Sequence, residues 1–174
     1  DITSGYNLII KPHMWTYYLD SFGGINLKGQ RNLIFKLIDQ FDHIRLLEPA
    51  EYNVTPYYKI SDLLLTDASS TIYEMIALSK PVVVNRFYHL KLSHRIFQKR
   101  LYKRRLDKEM NDEVEKFCFL ADNVKQLPLA IEKALNQNNK NTASIEEYQK
   151  KMLYKLDGSA SIRARDEILK RINR

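Results

Sequence analysis

Cysteine is nearly absent from this sequence, which has a single one, Cys118. One thiol cannot form an internal disulfide, and this usage fits a reducing, cytoplasmic setting. Because Cys118 lies in the apolar run 117–120, we predict a buried, inert thiol rather than a nucleophile. With no second cysteine and four scattered histidines, the sequence has no pattern typical of structural zinc. We therefore predict neither a metal nor a cofactor.

Long apolar runs are missing as well. No stretch reaches the roughly 18 apolar residues of a membrane-spanning helix, and no signal peptide is visible. An apolar content of 44% is still enough for a sizeable core in 174 residues. We expect a domain over 1–140, truncated at its beginning, and C-terminal helices over 141–174 that pack on it or on a missing partner domain. Because 6–10 already looks like a strand inside a fold, we expect a fragment of a longer protein.

Acidic residues are outnumbered by basic ones, with 21 Asp and Glu against 28 Lys and Arg and a net charge of +7. This excess favours anionic partners such as nucleotides, phosphorylated polymers or anionic lipid. No recognisable nucleic-acid-binding motif accompanies the charge, so we expect no nucleic acid partner.

The cations concentrate in residues 89–108, where eight Lys or Arg accompany one acid and an apolar stripe. This pattern is typical of a basic amphipathic helix at an anionic membrane surface, or of a solvated helix face packed on a sheet. The residues predicted to contact the membrane or another polyanion are Arg95, Lys99, Arg100, Lys103 and Arg104.

The most informative stretch is 62–84, which reads DLLLTDASSTIYEMIALSKPVVV. It contains a short apolar run at 63–65, apolar residues at helical spacing over 72–78, and a second apolar run at 82–84. Pro81 separates the helix from the second run. Two short apolar strands around a helix are typical of a parallel βαβ unit.

Strands and helices alternate along the rest of the chain. Further strands are predicted at 6–11, 43–47 and 115–120, and helices at 30–41, 54–61, 122–136, 144–155 and from 159 onwards. Residues 14–26 are predicted to form a loop or a short helix. The order from 6 to 84 predicts an α/β fold with a doubly wound, mostly parallel sheet and helices on both faces.

The turn before the helix of the βαβ unit carries Asp67, Ser69 and Ser70. Either serine can act as a helix cap, and Asp67 as a turn residue. The same hydroxyls, with the unpaired N–H groups at the positive end of the helix, can instead bind a phosphate. Open α/β sheets bind ligands at this end of their strands. His13 follows the first strand in the same way, either as a polar loop residue or as part of a shared pocket.

Three segments stand out together: IIKPH at 9–13, SDLLLTDASS at 61–70 with Lys80-Pro81 after it, and DGSASIR at 157–163. They resemble the nucleotide-binding half of the CDP-glycerol glycerophosphotransferases of teichoic acid synthesis. Bacterial polysialyltransferases are similar in using a His-Pro and a Ser-Ser motif on a CMP-linked donor. The resemblance implies a Rossmann-like doubly wound sheet, one half of a GT-B fold, with a helical C-terminal segment.

The resemblance also implies how a donor is held. His13 and the Ser69/Ser70 turn would hold phosphates, and Glu74 would lie near a ribose hydroxyl. Arg163 would supply a cation to the diphosphate. The donor-binding residues implied are His13, Asp67, Ser69, Ser70, Thr71, Glu74 and Arg163. The acceptor-side domain, which would carry the general base, has no counterpart in the chain, so no catalytic residue is expected and the chain alone should be inactive.

The leading hypothesis is therefore a donor-binding domain of a transferase. It would move glycerol phosphate from CDP-glycerol, or a sugar from a nucleotide sugar, to a cell-surface polymer or lipid-linked precursor at the inner face of the cell membrane. One alternative is a capsule or lipopolysaccharide glycosyltransferase with a UDP- or CMP-sugar donor. An alternative of another class is a non-catalytic domain in which 89–108 docks on anionic lipid or a polyanion and the serines only cap a helix.

Overall fold

The computed structural model describes residues 5–22, 25–67, 69–87, 96, 116–136 and 142–172. Its strands are β1 (Leu8–Ile10), β2 (Ser21–Phe22), β3 (Ile25–Asn26), β4 (Ile44–Leu46), β5 (Leu64–Thr66), β6 (Val82–Asn85) and β7 (Phe119–Ala121). Its helices are α1 (Met14–Tyr18), α2 (Leu27–Ile38), α3 (Thr55–Ile60), α4 (Thr71–Ala77), α5 (Leu127–Asn136), α6 (Thr142–Tyr148) and α7 (Ala160–Ile172). A 3₁₀ turn (Val124–Gln126) precedes α5, and a π-helical turn (Gln149–Leu153) follows α6. The chain divides into two compact units, Asp1–Lys59 and Ile60–Arg174.

The first unit is built on a parallel pair of strands. β1 pairs with β4, starting with Leu8 opposite Ile44. The Leu47 N–H extends this ladder by donating to the Ile10 carbonyl over 2.9 Å. The Leu47 side chain is 1% exposed, so the carboxyl end of β4 is anchored in the core of this unit.

Helix α2 packs on β4 and lies a few residues earlier than the predicted helix. It begins after Asn26, whose Oδ1 accepts a hydrogen bond from the Gly29 N–H at 2.8 Å. Its half-buried positions Ile34 and Ile38 are four residues apart and share one face. Leu33 is 59% exposed, so the predicted apolar stripe is buried along one side only.

The second unit contains the predicted βαβ element. Strands β5, β6 and β7 pair in parallel in that order, with Leu64 opposite Val82 and Val83 opposite Phe119. Residues 82–84 of the central strand are all buried. A continuous apolar strand of this kind is typical of a parallel sheet covered on both faces.

Helices α4 and α5 cover this sheet. Val83 packs with Ala121 and with two alanines of α5, Ala130 and Ala134, in one buried cluster. Small side chains allow α5 to approach the sheet closely. Side chains alternate along a strand, so the neighbours of Val83 point to the other face. The buried residues of α4 are Ile72, Met75 and Ile76.

Two boundaries differ from the predictions because of packing around α6. Phe117 is 2% exposed and its ring lies 4.5 Å from that of Tyr148, and β7 begins at Phe119, four residues later than the predicted start at 115. The predicted helix 144–155 ends at Tyr148 and continues as the π-helical turn. At that point the Gln149 Nε2 donates to the Ile76 carbonyl at 2.6 Å, which ties the turn to α4.

The last helix, α7, begins after Gly158 as predicted. Gly158 has a φ of +73°, a conformation that glycine adopts without strain. The apolar residues Ile162, Ile168 and Ile172 stay more than half exposed along α7, at 52%, 57% and 71%. Within the described parts of the chain, no helix combines the length and apolar character needed to cross a bilayer.

The structure confirms an α/β fold with parallel strands, in which β1, β4, β5 and β6 alternate with helices in the predicted order. These strands form a two-stranded sheet in the first unit and a three-stranded sheet in the second, so each ladder is smaller than the single sheet that the alternation predicts. Helix α1 confirms the short helix within 14–26, whereas the antiparallel pair β2–β3 is not among the predicted elements. A doubly wound sheet over the whole chain and a boundary at residue 140 stay predictions.

Candidate functional site

A turn with three hydroxyl groups follows the carboxyl end of β5. Ser69 is half-buried, Ser70 is exposed, and Thr71 begins α4. The Ser69 Oγ accepts two hydrogen bonds, from the Thr71 N–H at 3.4 Å and from the Thr71 hydroxyl at 3.1 Å. A serine hydroxyl also has one hydrogen to donate, and no described residue accepts it from Ser69. The Ser69 O–H can therefore donate to a ligand.

Of the two predicted capping side chains, only Ser69 contacts an N–H of the helix. Ser70 occupies the N-cap position, but its side chain makes no capping hydrogen bond. Its backbone is helical, with φ −62° and ψ −18°, whereas an N-cap residue normally has an extended backbone. Because α4 is seven residues long, hydroxyls and N–H groups rather than a long helix dipole would supply most of any anion binding.

Two carboxylates flank the hydroxyl turn. Asp67 directly follows β5, and Glu74 lies four residues after Ser70, on the same side of α4. Both are exposed. A carboxylate repels a phosphate but accepts hydrogen bonds from sugar hydroxyls. The predicted residues that the structure brings together here are Asp67, Ser69, Ser70, Thr71 and Glu74.

Lys80 belongs to the opposite edge of the same sheet. Its Nζ donates to the Ser61 carbonyl at 2.7 Å, and both residues precede the amino ends of their parallel strands. The preceding residue, Ser79, has a φ of +56°. Lys80 thus connects the segment before β5 to the segment before β6, at the edge of the sheet opposite to the hydroxyl turn.

Arg163 is held by its own segment. Its Nη1 lies 2.7 Å and 2.9 Å from the two carboxylate oxygens of Asp157, and its guanidinium lies 5.7 Å from the centre of the Tyr154 ring. The Arg163 hydrogen bond is the main reason that the pKa of Asp157 is lowered. No described hydrogen bond or ion pair joins Arg163 to the hydroxyl turn, so its role on a diphosphate stays a prediction.

His13 belongs to the first unit, where it caps α1. Its Nδ1 accepts a hydrogen bond from the Trp15 N–H at 3.2 Å, and the two rings meet edge to face at 4.8 Å. With Nδ1 as the acceptor, neutral His13 carries its proton on Nε2. The exposed imidazole can therefore donate a hydrogen bond to an anion through Nε2.

A second polar cluster was not among the predicted site residues. It lies at the carboxyl ends of β1 and β4 and comprises Lys11, Tyr17, Glu48 and Glu51. The Tyr17 hydroxyl donates to the Leu47 carbonyl at 2.6 Å. The sequence signal is a charged residue followed by a proline within two residues of the end of each strand, Lys11-Pro12 after β1 and Glu48-Pro49 after β4.

The predicted membrane-contact residues lie outside the described residues. This holds for all five of them, namely Arg95, Lys99, Arg100, Lys103 and Arg104. Of this segment the structure describes only Ile96, which is 68% exposed. A contact with anionic lipid or another polyanion therefore stays a prediction.

Neither a group of possible metal ligands nor a comparison with known proteins identifies the function of this site. Among the described residues, no group of three or more His, Cys, Asp or Glu is placed to hold a metal ion. Comparison of the chain with protein-family models, curated proteins and solved structures found no match. The function proposed below therefore rests on the chain's own geometry and motifs.

Proposed function

We propose that this chain is the donor-binding domain of a transferase that moves glycerol phosphate from CDP-glycerol, or a sugar from a nucleotide sugar, to a cell-surface polymer or its lipid-linked precursor. The observation that supports this most directly is the hydroxyl turn of Ser69, Ser70 and Thr71 after β5 of a parallel sheet. Open α/β sheets bind ligands outside the carboxyl ends of their strands. At this place the turn presents hydrogen-bond donors that suit a phosphate.

The chemistry of such a transfer fits these groups. When the bond to the donor breaks, negative charge gathers on the departing nucleotide phosphate. Hydrogen bonds to a charged acceptor are short and strong, and donors placed where charge develops lower the barrier. The Ser69 hydroxyl has its hydrogen to donate, and the Ser70 hydroxyl is exposed beside it. These groups require no metal ion to act.

Two further side chains, those of His13 and Arg163, would donate hydrogen bonds to the phosphates of the donor. His13 offers its Nε2 hydrogen because Nδ1 is occupied by the Trp15 N–H. Arg163 would release the Asp157 carboxylate and bind a phosphate of the donor instead. A guanidinium can bind either group, because its N–H donors match two oxygens of a carboxylate or of a phosphate. In the structure the Arg163 guanidinium is paired with the Asp157 carboxylate at 2.7 Å, and a donor phosphate would take the place of this carboxylate.

The finer fold belongs to the same proposal. We take the parallel strands to be parts of a Rossmann-like, doubly wound domain that forms one half of a GT-B transferase. In this arrangement the acceptor site and the general base come from another domain, and the chain alone binds the donor without turning it over.

A thermal-shift screen with nucleotides tests the proposal. The ligands are CDP-glycerol, CDP, CMP, UDP and UDP-sugars, each at concentrations up to millimolar. A ligand at one hundred times its Kd stabilises a fold by about 2.7 kcal/mol, which for a chain of this size raises Tm by about 5–10 °C. We expect a cytidine-selective shift, whereas a uridine-selective shift would identify a sugar transferase.

The matched variants decide whether the shift comes from the hydroxyl turn. Ser69→Ala/Ser70→Ala should lose most of the shift, because it removes both hydroxyls. Ser21→Ala/Ser144→Ala removes two exposed hydroxyls in other elements and should keep it. No shift with any nucleotide, or an equal shift in both double variants, would contradict the proposed function.

A further inference from the structure

The hydroxyl turn has no positive charge of its own, since its three side chains are neutral. The two carboxylates that flank it, Asp67 and Glu74, are exposed. A phosphate that binds at the turn meets these negative charges, which oppose its binding unless a cation lies close by. The sheet of the second unit determines which cations share this edge, because β5, β6 and β7 are parallel and end on the same side.

Arg86 follows the strand that neighbours β5. Thr66, the last residue of β5, is opposite Val84 of β6, and Arg86 comes two residues after Val84. Neighbouring strands lie about 4.8 Å apart, so Arg86 is one strand spacing from the chain that leaves β5 and enters the hydroxyl turn. Lys125 is another cation at this edge, but it follows β7, which is one strand further from β5.

The Arg86 side chain lies on the face of the sheet that α4 covers. Side chains alternate along a strand. Val83 packs with α5 in a buried cluster, and Phe87, four residues later, packs against the same cluster. Arg86 directly precedes Phe87 and therefore points to the opposite face. The hydroxyl turn leads into α4 on that face, so the guanidinium and the start of α4 are on the same side of the sheet.

An ion pair with Asp122 holds the Arg86 side chain. The Arg86 N–H donates to the Ala121 carbonyl at 2.8 Å, which continues the pairing of β6 with β7. The guanidinium Nε and Nη2 lie 2.7 Å and 2.6 Å from the Asp122 Oδ1. Both side chains reach water, with 37% of Arg86 and 55% of Asp122 exposed. The guanidinium is therefore held at a place that a dissolved anion can reach.

A guanidinium at this place supplies the charge that the hydroxyl turn lacks. Its five N–H donors form a planar fork that matches the oxygens of a phosphate. We propose that Arg86 binds a phosphate of the donor together with the Ser69 hydroxyl. A partly exposed ion pair contributes little to stability, and a diphosphate carries more negative charge than a carboxylate. The diphosphate can therefore replace Asp122 as the partner of Arg86.

This inference rests on the proposed function and identifies the cation that holds the phosphate at the turn. A purely structural role of Arg86 makes a different prediction. If the ion pair only joins the ends of β6 and β7, breaking it from either side has the same effect on the chain. If Arg86 binds phosphate, loss of the guanidinium weakens binding, whereas loss of the Asp122 charge does not.

Isothermal titration of the full chain with CDP, UDP and inorganic diphosphate tests the inference. Arg86→Met removes the charge, and Arg86→Lys keeps the charge but removes the fork. Asp122→Asn breaks the same ion pair but keeps the guanidinium. The control is Arg171→Met, which removes an exposed guanidinium of α7 that is paired with Glu167. Thermal unfolding without ligand shows whether each variant is folded.

We expect Arg86→Met to weaken the binding of diphosphate, and of the nucleotide that binds wild type, by about tenfold or more, because hydrogen bonds from a charged donor are lost. Arg86→Lys should fall between this variant and wild type. Asp122→Asn should bind at least as tightly as wild type, since it removes a competing negative charge, and Arg171→Met should bind as wild type does. Equal weakening in Arg86→Met and Asp122→Asn, or in Arg86→Met and Arg171→Met, would overturn the inference.

The inference and the proposed function fail in different ways. Nucleotide binding that Ser69→Ala/Ser70→Ala abolishes and Arg86→Met leaves unchanged overturns the inference and keeps the donor site. Binding of inorganic diphosphate that requires Arg86 and the serines, with neither nucleotide bound, supports the phosphate site and overturns the nucleotide donor. If none of the three ligands binds wild type, both are overturned.

Discussion

Arg31 should stabilise the first unit mainly through backbone carbonyls rather than through its ion pair. Its Nη1 donates to the carbonyl oxygens of Thr16 and Tyr17, both at 3.0 Å. The same atom lies 3.3 Å from the Leu19 carbonyl, and Nη2 lies 2.9 Å from an Asp20 carboxylate oxygen. One guanidinium thus satisfies the carbonyls at the end of α1, which have no partner within so short a helix.

The two contributions differ in size. A hydrogen bond from a charged donor contributes about 1.5–3 kcal/mol, and the Arg31 side chain is 20% exposed. Since one nitrogen is shared among three carbonyls, we expect Arg31→Met to lower the free energy of unfolding by about 2–3 kcal/mol. The Asp20 side chain is 73% exposed, and such a surface ion pair contributes only about 0–1 kcal/mol. Asp20→Asn should therefore cost much less than Arg31→Met.

Urea unfolding followed by tryptophan fluorescence measures this difference. The chain has one tryptophan, and Trp15 lies in α1 itself. With a urea dependence of about 1–3 kcal/mol per molar, Arg31→Met should lower the midpoint by about 1 M. Equal midpoints for Arg31→Met and Asp20→Asn would refute the assignment to the carbonyls, as would a loss below about 0.5 kcal/mol for Arg31→Met, the size of an ordinary surface substitution.

Two further predictions concern titratable groups. Burial raises the pKa of Cys118 to about 12. Ellman's reagent at pH 8 should therefore react with the native thiol about a hundredfold or more slowly than with the thiol of the urea-unfolded chain. Equal rates for the two states would contradict the burial of this side chain. The pKa of Asp157 is lowered chiefly by Arg163, so the stability it contributes is present above the ordinary Asp range and is lost as the pH falls through the lowered value. Arg163→Met should raise the Asp157 pKa towards its ordinary range in a carboxyl NMR titration, and an unchanged value would show that this ion pair does not form in solution.

The elements that could be predicted from the sequence are those with a local pattern of residues. The apolar runs around β5 and β6, with a helical pattern and a proline between them, predict the parallel unit that the structure contains. The same holds for Cys118, since an apolar run flanking a thiol predicts its burial, and the side chain is 7% exposed. Helix and strand periods depend on near neighbours, so such patterns can be read without knowledge of the fold.

Contacts between side chains that are distant in sequence could be identified only from the folded structure. The carboxyl edge that holds Lys11, Tyr17 and Glu48 joins residues from three elements, and no spacing in the sequence connects them. In the same way the hydroxyls of Ser69 and Ser70 look equivalent in the chain, yet one contacts Thr71 and the other makes no cap. Contacts between distant residues depend on strand pairing and on backbone angles at single positions, and neither is encoded in a local period.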